Sequence, residues 1–247
     1  MKLIKQLFTL LAFVPLAAAA SGGAEIHLDK APVNLSDKAS LQRGAKMFVN
    51  YCLNCHSASY MRYSRLQDLG LTEEQIKDNL LFATEKPGET MTVAMNYKDA
   101  KVWFGAAPPD LSVIARSRSP DWLYTYLRSF YRDESRPTGW NNIAFDKVGM
   151  PHVLASLQGE QIAHFKKIKD HDGNEHEVFE RFELVKPGSV TPAQYDAMTG
   201  DLVNYLAWMA EPVKVKRMQT GLMVLGFLAV FFVIAYYLKK EFWKDVH

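Results

Sequence analysis

Cysteine is almost absent from this sequence of 247 residues, which has two, Cys52 and Cys55. That scarcity excludes a disulfide-stapled scaffold, which needs several bridges. A strong charge imbalance is missing too. Lys and Arg number 29 against 27 Asp and Glu. The surplus of two is Lys2 and Lys5, so without the first twenty residues the formal balance is zero. Nothing in that balance recommends a nucleic acid as partner. No internal repeat and no low-complexity tract interrupts the chain. Long apolar runs are confined to its two ends.

The first run reads as an export signal. Lys2 and Lys5 form a basic start, Leu7 to Leu16 an apolar core, and Ala17 to Ala20 a small-residue cleavage region. A retained anchor is the alternative, but the apolar core is short for a span. The second run, Met218 to Leu238, has no charged residue and is long enough to cross a bilayer. Lys214, Lys216 and Arg217 precede it, and Lys239, Lys240 and Lys244 follow. Trp208 lies before the run, and Tyr236, Tyr237 and Trp243 stand at its far end, where interfacial aromatics belong. A buried core helix is the competing reading. The expected division is a cleaved signal at 1–20, an exported domain at 21–211, an anchor in the lipid bilayer at 212–240 and a short cytoplasmic tail at 241–247. With three basic residues on each side of the run, orientation rests on the export signal.

Both cysteines fall in "YCLNCHSAS", residues 51–59. A lone CxxC pair in an oxidising compartment suits a thiol–disulfide protein, but no strand–helix alternation surrounds it. Zinc is a weaker reading, because two thiolates and one adjacent histidine leave a tetrahedron incomplete. His56 distinguishes the motif. C-x-x-C-H is the attachment pattern of c-type haem, in which two thiols add across two porphyrin vinyl groups and the histidine lies under the iron. Cys52 and Cys55 are then the anchors, His56 the proximal ligand, and one motif means one haem c.

The flanking pattern is helical. Asp37 or Ser36 can cap a helix through "KASLQRGAKMFVNYC", with Gly44, Phe48 and Tyr51 on one face. Thr191 to Gln194 is a capping box with proline at the first helical position, and Leu202, Tyr205, Leu206 and Met209 form an apolar face behind it. A bare Gly44 crossed by a later helix carrying Tyr205 suggests a c-type cytochrome core. Thr72 and Gln75 make another capping box, with no chemistry attached.

A sixth ligand must come from elsewhere. Met47, Met198 and Met209 suit helix packing, Met218 and Met223 belong to the membrane end, and Met61 follows the motif too closely. Met91, Met95 and Met150 remain, with His152 as a rival that reads more naturally as a surface residue. Met150 is favoured, since Gly149 frees the backbone before it and Pro151 holds it extended. A Met/His pair raises haem potential and suits an electron carrier. Residues 104–119, "FGAAPPDLSVIARSRS", form a candidate apolar wall. Pro108 and Pro109 stiffen it, Asp110 can cap the helix that follows, and Arg116 and Arg118 lie within reach of haem propionates.

Taken in order, "YCLNCHS", "GAAPPDLSVIARSR", "VGMPHVL" and "YLAWMAEPVKVKRMQTG" with one span resemble the cytochrome c1 family. That family is the haem c subunit of quinol–cytochrome c oxidoreductase, the bc1 complex or complex III. The resemblance implies that Cys52 and Cys55 hold the haem and that His56 and Met150 ligate its iron. It also implies that Pro108 and Pro109 line the haem face and that Arg118, with Arg116 a less certain neighbour, approaches a propionate. It implies cytochrome b and the Rieske iron–sulphur protein as partners, a soluble or membrane-bound cytochrome c as acceptor, and a place in the bacterial inner membrane with the haem domain in the periplasm. A tethered monohaem carrier, or the haem subunit of another oxidase or dehydrogenase, is the alternative.

Residues 162–185 read as a hairpin turning at Asp172-Gly173. Its His164, His171 and His176 are better solvated turn residues than metal ligands. Its acidic side chains offer either a docking face for a basic cytochrome c or an ordinary solvated surface. The expected fold is mainly α: a c-type cytochrome core with loop insertions and a β-hairpin, plus one C-terminal transmembrane helix.

Overall fold

A computed structural model describes residues 26–169 and 175–245. The signal expected at 1–20, the turn Asp172-Gly173 and His171 lie outside the described residues.

Helix α1 (Lys38–Met47) starts at Asp37, whose side chain accepts from Ser40 N at 3.0 Å. It runs into one π turn, Phe48–Cys52, a widened winding that often marks a functional segment. Strand β1 (Ala58–Arg62) and a 3-10 stretch, Tyr63–Leu69, come next. Helix α2 (Glu73–Asn79) carries the full Thr72–Gln75 capping box. Strand β2 (Thr90–Met91) pairs with β1. Helix α3 (Tyr97–Phe104), the short α4 (Ile114–Ser117) and α5 (Pro120–Arg128) then lead to the hairpin of β3 (Phe130–Arg132) and β4 (Trp140–Asn142). After one helical turn, α6 (Ala155–Gln158), comes the long ribbon of β5 (Gly159–Lys169) and β6 (Glu175–Pro187). The chain closes with α7 (Pro192–Ala210) and α8 (Lys214–Phe242). Among the described residues every sheet has two strands, so the architecture is mainly helical.

The core is organised by the crossing of α1 and α7. A Cβ on Gly44 would stand 2.1 Å from Asp201 O and 2.6 Å from Tyr205 Cβ. The two backbones therefore touch, and only glycine permits it. Phe48, one turn on, packs its ring 5.6 Å from Tyr205. Arg43 locks the rim through Asp201 at 2.6 and 2.9 Å. The pattern along α7 foretold one apolar face, but the helix is buried on most sides. Val203, Asn204 and Trp208 are buried beside Leu202, Tyr205, Leu206 and Met209. Asn204 is tolerable there because its amide is satisfied: Oδ1 accepts from Asn34 N at 2.9 Å, and Nδ2 donates to Asn34 O and Ser40 Oγ. Trp208 thus belongs to the core, packed 5.8 Å from Tyr205. Helix α5 is fastened to α7 by Arg128, whose guanidinium binds Asp196 at 2.6 and 3.1 Å and Asp29 at 2.6 Å.

Helix α8 differs in kind. None of its 29 residues is buried, although Leu222 to Leu238 is almost wholly apolar. A helix apolar on all sides needs a medium other than water. At 1.5 Å per residue it extends about 43 Å, more than the ~30 Å of a bilayer core. This one helix anchors the chain in a membrane. Its entry is pinned by Arg217 Nε, which donates to Glu211 Oε1 at 2.6 Å across the break at Pro212.

Gly44→Ala forces backbone against backbone and is expected to cost about 3 kcal/mol. Gly88, whose Cβ direction is open, should accept alanine within about 0.5 kcal/mol. Thermal unfolding of the detergent-purified variants measures both.

Candidate functional site

The CxxCH segment folds as a turn leaving α1. Cys55 N and His56 N both donate to Cys52 O, at 3.0 and 2.8 Å. This one carbonyl gathers both thiols and the imidazole at the end of one helix. Both cysteines are free. Burial pushes the Cys52 thiol up to about 12, and burial also raises Cys55. A thiol–disulfide exchanger needs the opposite, a thiolate stabilised near neutral pH. The raised values thus count against that reading.

His56 is oriented through one ring nitrogen. Nδ1–H donates to Pro109 O at 2.8 Å, which leaves Nε2 as the lone-pair nitrogen. Burial lowers its pKa, opposed by the Pro109 carbonyl and by Asp110, so the imidazole is neutral, the form that binds metal. The wall that supplies this carbonyl is itself tied to the motif. Leu111 N donates to Ser57 O at 2.8 Å. Asp110 takes Ser59 N on one oxygen and Ser112 N on the other, both at 2.8 Å. Asp110 was expected to cap the next helix. It does not, because α4 begins only at Ile114, with Val113 at its N-terminus, and the carboxylate instead clamps the wall to the motif. The half-buried Pro108 stiffens the approach, while Pro109 acts chiefly through its backbone oxygen.

The opposite arm carries Met150. Gly149 presses onto the end of α3, where an added Cβ would lie 2.6 Å from Phe104 O. The glycine is needed for close approach rather than for unusual dihedrals. The segment from Phe104 to Pro109 therefore touches both arms, meeting Gly149 at one end and His56 at the other. Met150 rests on a small second core of Phe130, Trp140 and Val148. The Tyr126 hydroxyl donates to its Sδ at 3.4 Å. His152, expected at the surface, is buried: its ring stacks on Phe130 at 4.8 Å and meets the Trp140 ring at 5.0 Å. Burial, slightly opposed by Gln158, pushes its pKa down to about 4. Sandwiched between two rings of this second core, it packs as an aromatic. Of the other two methionines, Met91 is fully buried under the Tyr205 hydroxyl and Met95 is half-buried.

Several residues of this arm carry no motif. Asn142 Oδ1 takes the amides of Ala144 and Phe145, and its Nδ2 donates to Tyr126 O at 2.8 Å. Asn141 Oδ1 accepts from Lys147 N at 2.9 Å. These two asparagines shape the loop that delivers Met150. The adjacent pair in "GWNNI" was their only signal, and it reads equally as an ordinary turn.

The model of the cytochrome C1 family matches residues 29–246. A protein named cytochrome c1 from Allochromatium vinosum is 51% identical over 247 residues, covering 100% of this chain and 99% of that one. One named ammonia monooxygenase gamma subunit, from Nitrosomonas europaea, is 47% identical and covers 100% of both. Cytochrome c1 of Rhodospirillum rubrum is 29% identical, over 93% of this chain and 92% of its own.

The chain belongs to the cytochrome c1 family.

Its role is that of the electron-transfer subunit of the bc1 complex, and its cofactor is haem c. The residues present fit that cofactor. Two free thiols stand at the end of α1, an imidazole is fixed with Nε2 open, and a thioether stands on a separately braced arm. The two arginines part company. Arg118 lies over the Trp122 and Phe145 rings at 5.1 and 5.9 Å, on the Met150 side. Arg116 instead helps lower the pKa of Glu211, after the larger influence of Arg217, which puts its charge toward the membrane junction.

Several acids of the β5–β6 ribbon have partners within it. Glu175 faces Lys169 at 3.9 Å, Glu180 faces Arg181 at 3.5 Å, and Glu183 binds His164 at 2.7 Å. The last of these gives His164 a cross-strand partner. No group of three metal-binding side chains occurs among the described residues.

Asp110→Ala removes both clamps and is expected to cost about 1–3 kcal/mol, while Asp110→Asn keeps an acceptor and loses less. Thermal unfolding of the haem-loaded protein checks both.

Proposed function

We propose that this subunit takes single electrons from the Rieske iron–sulphur protein and passes them to a soluble or membrane-bound cytochrome c. Haem c would be held through thioethers at Cys52 and Cys55, and His56 Nε2 and Met150 Sδ would be the groups that bind its iron. When bound, the iron supplies a one-electron couple. The chain holds that couple, shields it and presents it. The observation that carries this reading is the His56 Nδ1–Pro109 O bond, since a second partner on Nδ1 is what orients a metal-binding imidazole. Pro108 and Pro109 form part of the apolar surround. Arg118 lies on the Met150 side, where a guanidinium pairs well with a propionate. The location of Arg116 near Glu211 favours a structural role at the membrane junction.

The subunit has no base or nucleophile of its own to contribute, and enzymatic activity belongs to the assembled complex, with quinol oxidised at cytochrome b. The export signal at 1–20 supports a periplasmic haem domain (21–211), an anchor beginning at residue 212 and a cytoplasmic tail at 241–247 in the bacterial inner membrane. A second reading, the haem subunit of another respiratory enzyme, draws on the name of the Nitrosomonas relative.

A reduced-minus-oxidised visible spectrum of the tagged protein, purified gently from its native membrane, tests the assignment. Quinol-reducible c-type and b-type bands together are the expected result. A c-type band alone, from a preparation that retains its partners, would overturn membership of a bc1-like assembly. In the same material, Cys55→Ala should leave one thioether and a red-shifted pyridine haemochrome. Replacing both cysteines should make the haem extractable into acid acetone.

A further inference from the structure

The Tyr126 hydroxyl lies on the one atom of Met150 that can bind iron. A thioether sulfur has two lone pairs, and a bond to iron uses one. The other can accept the Tyr126 O–H, 3.4 Å away. The donor is held firmly. Tyr126 stacks on Trp122 at 4.9 Å and 12°, and it meets the edge of Phe130 at 5.0 Å. Its own carbonyl is gripped by Asn142 Nδ2. No other hydrogen bond is found for this hydroxyl among the described residues.

We propose that Tyr126 is a potential-setting residue, acting on the iron through a hydrogen bond to Met150 Sδ. The inference rests on the reading of Met150 as axial ligand. Hydrogen bonds to ligand atoms are one of the levers a protein has on a haem. Donation to sulfur draws electron density from the ligand. Ferric iron depends on that density more than ferrous iron, so the bond favours the reduced state and raises the potential. Met150 thereby takes two constraints from α5: the position of its sulfur and the electron density on it.

Tyr126→Phe keeps the ring in its stack and removes only the donor. Redox titration of the haem-loaded, detergent-purified protein is expected to show a lower potential. The shift should correspond to a roughly two- to tenfold change in the reduced-to-oxidised ratio, from the net worth of one hydrogen bond, with about 59 mV for a full tenfold. The sulfur-to-iron charge-transfer band should persist, shifted in position. Tyr124→Phe, on the same helix but with its hydroxyl toward Asp196 O at 3.5 Å, should leave the potential in place. A ring-fluorinated tyrosine at position 126, a stronger donor, should move the potential upward, and it serves equally if the phenylalanine variant fails to mature. An unchanged potential in the Tyr126 variants, with the charge-transfer band intact, overturns this inference alone. Absence of that band from the unaltered protein overturns the Met150 assignment and this inference with it.

Discussion

The site depends on the contact of two backbones at Gly44. Helix α1 ends in the CxxCH turn, and its position is set where it crosses α7, with no side chain between Gly44 and the Asp201 carbonyl. Phe48 and Tyr205 extend that contact by one turn toward the motif. From there Cys52 O directs the next amides, and the thiols and the imidazole emerge with little freedom left. A motif of five residues cannot supply this placement, because its own hydrogen bonds define only a turn.

The arm that carries Met150 is built on different principles. It lies on loops rather than on a long helix, and loops need internal anchors to hold a ligand. The anchors are a compact aromatic group and two asparagines whose amides replace the missing regular structure. His152 joins this group as a neutral ring. One loop, Phe104 to Pro109, couples the arms by packing on Gly149 and accepting from His56. A displacement of that loop would reach both sides of the site together.

Much of the fold was legible. Capping boxes at Thr72 and Thr191 appear where the chain pattern put them, because caps are local chemistry. The membrane helix was evident from length and composition. The CxxCH triplet and the Gly44–Tyr205 crossing followed from residue type and spacing. Other readings failed for a common reason. His152 looked exposed because a histidine in a loop carries no periodicity, and nothing local says that Phe130 and Trp140 enclose it. Asp110 looked like a helix cap because the start of α4 was placed too early.

The sequence by itself determined the chemistry available: two thiols and an imidazole in attachment spacing, a thioether between glycine and proline, and one segment apolar enough for lipid. These are properties of residue type over short distances, and covalent spacing preserves them in any fold. Only the tertiary structure decided how they are used. It turned the His56 ring with a carbonyl 53 positions away. It sent Arg116 toward Glu211 and Arg118 onto Trp122. It also brought the Tyr126 hydroxyl onto Met150 sulfur from 24 positions away. Each of these depends on which helix faces meet, and that is settled by packing across the whole core rather than by neighbours along the chain.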